Sequence, residues 1–197
     1  MRIFIGIDLD PEVRTRIERF VEGVEGFAPE VRWVRPESLH ITLKFIGEQP
    51  PEQVEAVTER LRQVESTAFE IRAGGYGFFP TAKAPRVFWI GIHAAPQLAE
   101  LAESIDSAVA EVGVPREDRP YSPHLTLARA GRGSGSPRWR KGDGPNAIFA
   151  VLEKRLAAMS GLDFGTMTAN EFILYQSQLS PGGSKYTKLQ RFPFNRS

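Results

Sequence analysis

No cysteine occurs anywhere in the 197 residues. That absence excludes a disulfide framework, a thiolate metal site and a cysteine nucleophile together. Histidine is scarce too, with three in the chain. None stands in the i, i+4 helical spacing with a carboxylate nearby that would suggest a zinc hydrolase, so no catalytic metal is expected. No Gly-x-Ser-x-Gly elbow supports a serine triad. No apolar run approaches the length of a membrane span. Neither sign of charge dominates, with 25 Lys and Arg against 24 Asp and Glu and a formal net charge of +1. Such a balance gives no global field that would draw the chain onto long DNA or an anionic membrane, so any nucleic-acid contact has to be local. The opening "MRIFIGIDLDPEV" runs directly into strand and helix signals, without the segments of a secretory leader. A cytoplasmic protein is the expectation, either one domain or two small, tightly joined lobes.

What is present alternates between the two regular periods. "RIFIGIDL" (2–9) reads as a strand, after which Asp10 is placed to cap a helix with Pro11 at its first position and an apolar stripe of Val13, Ile17, Phe20, Val21 and Val24. Residues 31–35 and 39–47 read as a strand pair around a Pro-Glu-Ser turn. A helix after "QPPEQ" carries Val54, Val57, Leu61 and Val64. Residues 68–79, broken by a glycine bulge, and 86–93 form the next strand pair. Pro96 to Gly113 is helical, with Leu98, Leu101, Ile105, Val109 and Val112 on one side. "PHLTLARA" returns to strand, a Gly/Ser/Pro-rich basic loop (131–146) follows, a fourth helix spans about 147–159, and 170–179 and 185–192 are strands. Adjacent strands joined by short turns favour antiparallel sheets, so the expected class is α+β.

Two short stretches carry the chemistry. Leu39-His40-Ile41-Thr42-Leu43 and Pro123-His124-Leu125-Thr126-Leu127 both spell histidine, aliphatic, threonine, leucine, and so hold two of the three histidines. A strand sends residues i and i+2 to one face. His40 therefore shares a face with Thr42, and His124 with Thr126, while the aliphatic residues turn to a core. With each motif on the central strand of its own lobe, two imidazoles and two hydroxyls converge on a cleft of near two-fold symmetry.

Two facing histidines suit in-line displacement at phosphorus. One nitrogen takes the proton of the attacking oxygen and the other returns a proton to the leaving oxygen, and histidine serves in either role near neutral pH. Threonine hydroxyls would donate to the non-bridging phosphate oxygens. The symmetry leaves open which histidine is acid and which is base.

These residues resemble the two-histidine phosphoesterases, and within them the RNA 2',3'-cyclic phosphodiesterases, also called 2'-5' RNA ligases. The resemblance extends from the paired His-x-Thr motifs to "RIFIGIDL", "RWVRPESLHITLKFIG", "HLTLAR" and "LYQSQLSPGGSKYTKLQRFPF", nearly the full length. It implies a bilobal α+β fold, made of two pseudo-symmetric lobes of a single domain over residues 1–197, with the site between them. It also implies hydrolysis of RNA 2',3'-cyclic phosphate ends to 2'-phosphomonoesters, with 2'-5' joining of tRNA halves as the reverse type of transesterification, and no need for ATP, metal ion or other cofactor. His40 and His124 match the catalytic positions, Thr42 and Thr126 the phosphate ligands, and Arg129 a phosphate-contacting arginine. Strict alternation, however, puts Arg129 on the face opposite His124, so it reaches the cleft only where the strand twists, bulges or ends.

Other residues read more plainly. His93 ends an apolar run without a threonine and is a strand-end residue. Lys44 falls on the His40 face under alternation, where it could lie near the phosphate, but reads more plainly as a solvent-exposed lysine, with Phe45 in the core. Trp33 and Trp89 are core or cleft wall, and Ser177 and Gln178 are structural. Arg132, Arg138, Arg140 and Lys141 of the basic loop, with Trp139 to stack on a base, suit an RNA backbone or a plain solvated connection. Two other functions stay open beside RNA ends and a monomeric enzyme. One is a cyclic phosphodiesterase for small nucleotides such as ADP-ribose 1'',2''-cyclic phosphate; the other is a non-catalytic module that binds RNA ends.

Overall fold

Apolar alternation builds the first strand, β1 (Arg2–Asp8), in which Ile3, Ile5 and Ile7 are buried toward the core. Phe4, Gly6 and Asp8 turn to the other face. Helix α1 (Pro11–Val24) follows, with Pro11 at its start, where a missing amide costs nothing. Asp10 occupies the N-cap but its side chain makes no capping bond, unlike the cap expected. Then come β2 (Arg32–Trp33), β3 (His40–Glu48), α2 (Pro51–Leu61), β4 (Phe69–Phe79), β5 (Val87–His93), α3 (Gln97–Ala110), β6 (His124–Arg129), α4 (Ala150–Ala157), β7 (Asp163–Ala169), β8 (Glu171–Ser180) and β9 (Gly183–Pro193). This computed structural model describes residues 1–131 and 146–195. The basic side chains and Trp139 of the 131–146 loop lie outside the described residues.

The strands form two antiparallel sheets, ordered β3-β1-β8-β9 and β2-β6-β5-β4-β7. The class is α+β. Hairpins β4–β5 and β8–β9 pair as the sequence predicts, the first with its bulge at Gly74 and Gly75. The strands around Pro-Glu-Ser do not pair with each other: β2 joins β6, and β3 joins β1 in the other sheet. Pro36–Ser38 forms a single 3-10 turn, and it supplies neither the length nor the positive-φ residues of a tight hairpin. The chain thus crosses between sheets just before His40. The β3 strand ends the order of its sheet, and β6 lies one strand in, beside the two-residue β2. Neither motif occupies the middle of its sheet, as the sequence reading expected.

Strand β7 was not expected at all. Phe164, Met167 and Ala169 are buried, but a register shift beside Gly165, whose φ is +95°, breaks their alternation. The inner faces of both sheets meet the helices in one apolar core. Ile5 and Ile41 from one sheet, and Ile90 and Leu125 from the other, share it with Ile17, Leu61, Ile105 and Leu156. The histidines are left on the opposite faces.

Candidate active site

His40 opens β3 and His124 opens β6, and the two are held alike. Nδ1 of His40 lies 2.8 Å from the Ser38 carbonyl, and Nδ1 of His124 lies 2.8 Å from the Ser122 carbonyl. A carbonyl only accepts, so each neutral ring keeps its proton on Nδ1 and presents a bare Nε2. Nε2 of His40 is 3.0 Å from the Thr42 hydroxyl. Aromatic rings wall both imidazoles. Phe4 and Tyr186 stand 4.6 and 5.1 Å from His40, and Phe79 and Trp89 stand 5.0 and 6.3 Å from His124, centroid to centroid.

Both motif strands then bulge at the same place. In β3 the register skips Leu43, since Thr42 faces Gly6 and Lys44 faces Ile5. In β6 it skips Leu127, since Thr126 faces Trp89 and Ala128 faces Phe88. One extra residue exchanges the faces of everything beyond it. Arg129 is thereby returned to the face of His124 and Thr126. The same device corrects two sequence expectations in β3. Lys44 is 3% exposed and turned inward, away from His40, whereas Phe45 is 48% exposed instead of joining the core.

The five residues singled out by sequence come together. His40, Thr42, His124, Thr126 and Arg129 line one small cavity with Val34, Ser38 and Tyr186. His93 is not among them; it ends β5, with Nε2 on the Gly74 carbonyl. Burial pushes the His40 pKa down to about 4, opposed by the Ser38 carbonyl and reinforced by the positive charge of Arg129. Burial likewise lowers His124, again opposed by a carbonyl, that of Ser122, and reinforced by Arg129. Arg129 is itself lowered by burial and by neighbouring Arg32, yet remains a cation. Both imidazoles are therefore neutral at pH 7 in the free protein, facing a fixed positive charge. Among the described residues, no three His, Cys, Asp or Glu side chains gather to share a metal ion.

The cavity opens onto a groove that sequence reasoning missed. Arg2, Arg32, Trp33, Arg35, Phe45 and Ser177 line it together with His40, Thr42, Arg129 and Tyr186, and among the described residues no carboxylate does. Only Trp33, as a possible cleft wall, was anticipated there. Arg32 and Arg35 could have been found in "RWVRPES", but nothing local says that β2 pairs with β6 and so sets Arg32 opposite Arg129. Tyr186 lies in the family-like tail and is brought to His40 by β9.

Two ties join the motif strands. The Tyr121 hydroxyl, whose pKa burial raises, donates to the Thr42 carbonyl at 2.8 Å. The Lys44 ammonium reaches Asp106 in α3 at 2.7 Å, the Pro115 carbonyl at 2.7 Å and Glu117 at 3.1 Å. The segment from Pro115 to Tyr121, which leads into His124, is thus fastened to the strand that carries His40.

Residues 7–89 and 90–186 each match the family described as LigT like phosphoesterase, one motif per match. The chain belongs to that family. An Archaeoglobus fulgidus protein named RNA 2',3'-cyclic phosphodiesterase is 33% identical over 192 residues, covering 98% of this chain and 99% of the relative. A Methanothermobacter thermautotrophicus protein of the same name is 33% identical over 196 residues, 98% of each chain. Among solved structures, E. coli LigT complexed with 3'-AMP superposes with a TM-score of 0.73 at 28% identity, covering 98% of this chain and 97% of that one. As a LigT-like phosphoesterase the chain is an enzyme. Among its described residues, no helix is long and apolar enough to cross a membrane.

Proposed function

We propose that this LigT-like phosphoesterase hydrolyses the 2',3'-cyclic phosphate at RNA ends to a 2'-phosphomonoester, using two histidines of a single two-lobed domain. The observation that carries the reading is the convergence on one cavity of two His-x-Thr pairs and an arginine that pairs with no carboxylate among the described residues. The names of the full-length relatives supply the cyclic phosphate.

The deeper burial of His40 supports one assignment of the roles. His40, with its pKa near 4, stays neutral and is the base: its Nε2 takes a proton from water as the water oxygen bonds to phosphorus. The P–O3' bond breaks on the opposite side, and His124, protonated on Nε2, gives that proton to O3'. Arg129 and the threonine hydroxyls hold the non-bridging oxygens; Thr42 turns from His40 to do so. A phosphate bound at Arg129 offsets the positive charge that depresses both histidines, and so raises the acid toward its task. Replacing water by a ribose 5'-hydroxyl gives a 2'-5' phosphodiester by the same steps, which is the ligation reading.

The test is a short RNA ending in a 2',3'-cyclic phosphate, incubated with enzyme in excess EDTA, with 2'- and 3'-phosphate products resolved. The expected product is the 2'-phosphate, with His40→Ala and His124→Ala each slowing its formation by about 10² to 10⁴. A requirement for added metal, or full activity in either variant, refutes the mechanism.

A further inference from the structure

Arg32 and Arg129 are directly opposed across β2 and β6, and each guanidinium lies where the other's charge opposes it. Like charges in that position destabilise a sheet. Among the described residues no carboxylate pairs with Arg32, Arg35 or Arg129, and none lines the groove they share. Arg35 comes from the crossover turn and lies against Gly182 in the β8–β9 turn, where a Cβ would collide with its guanidinium. Beside these, Phe45 exposes its ring to the groove with the Arg2 guanidinium 5.1 Å from its centroid. An array of unpaired cations next to an aromatic face is how single-stranded nucleic acid is held, the cations tracking phosphates and the ring taking a base.

Resting on the phosphodiesterase reading, we infer that this groove is a subsite for the strand on the 5' side of the cyclic phosphate, with Arg32 and Arg35 holding the phosphodiester that joins the last two nucleotides. Arg129 serves the reacting phosphate and Arg32 the next one along, so the mutual repulsion of the two arginines is relieved only when both phosphates are bound. The substrate class is then an oligonucleotide end. A mononucleotide, or ADP-ribose 1'',2''-cyclic phosphate, fills the cavity and leaves the groove arginines without this phosphodiester.

The experiment compares kcat/KM for three compounds: a nucleoside 2',3'-cyclic phosphate, a dinucleotide ending in the same group, and that dinucleotide with an uncharged methylphosphonate as its internal linkage. The charged dinucleotide is expected to exceed the mononucleotide by about tenfold, and the methylphosphonate to lose most of that gain. Arg32→Gln and Arg35→Gln are each expected to lower the ratio of dinucleotide to mononucleotide by about 3- to 10-fold. The methylphosphonate comparison uses the unaltered enzyme, so the outcome does not depend on how the variants fold. Equal turnover of charged and neutral dinucleotides overturns the subsite and leaves the phosphodiesterase reading standing. Turnover of none of the three overturns that reading, and the subsite with it.

Discussion

Arg129 and Phe45 hold the same place in their two motifs. Each stands five residues beyond its histidine, and each reaches the cavity side because its strand skips one leucine, Leu127 or Leu43. The repeat is thus symmetric in backbone and asymmetric in chemistry, with a cation on one side and an aromatic ring on the other. A substrate with a charged phosphate at one end and a flat base at the other meets complementary groups in only one orientation.

Phe45→Ala is therefore expected to raise KM for RNA cyclic phosphates by about 5- to 150-fold, the range of base stacking on an aromatic side chain, and to leave kcat within about twofold. Thermal unfolding should shift little, because the ring is already half in water. Steady-state kinetics and a melting curve check both halves; a large fall in Tm would mark the ring as structural.

The acid role of His124 fixes a pH dependence. Its pKa in the free protein is held below 6.5, so the protonated fraction, and kcat/KM with it, falls tenfold per pH unit through and above neutrality. The base His40 limits the other side near pH 4. A kcat/KM profile that stays level from pH 6 to 8.5 would remove His124 from this role.

Stability should follow pH in the same region. The folded His40 has its pKa near 4 against about 6.5 in the unfolded chain, so between these values the unfolded chain binds more protons. The contribution is complete above about pH 7 and is lost as the pH falls from 6.5 toward 4. In urea titrations at pH 7 and pH 5, His40→Asn is expected to lose less stability over that interval than the natural chain.

Lys44 offers a contrast with its neighbours. Lys44→Met leaves the buried Asp106 carboxylate of α3 without its ammonium but still facing Arg116 and the Glu117 amide, and is expected to cost about 2 kcal/mol in a urea titration. Because the side chain points away from the cavity, KM for a nucleoside cyclic phosphate should stay within about twofold.

The sequence was legible where its signal was local and repeated. The doubled His-x-Thr spacing put four residues of the candidate site on the faces they occupy, and apolar stripes located three of the four helices. Beyond Thr42 and Thr126 the reading depended on whether alternation continued. A bulge is a property of how two strands pair, so Lys44 and Phe45 were exchanged while Arg129 arrived by the bulge that its placement required. The division of β2 and β3 between sheets, and with it the whole arginine groove, is tertiary. No window containing "RWVRPES" states that its first arginine will lie against one almost a hundred residues away.

The carboxylate-free groove has a consequence for how the protein behaves in salt. A formal net charge of +1 would let it pass for electrically indifferent, yet its cations are unevenly spread and several converge at one mouth. The association constant for an RNA end should therefore fall as ionic strength rises, with a log-log slope of about −0.7 for each phosphate neutralised. Over the same range a long duplex should show little attraction to the rest of the surface. On the proposed reading, the groove draws the protein to RNA termini, and among the described residues no comparable array of cations extends to hold it along the strands between them.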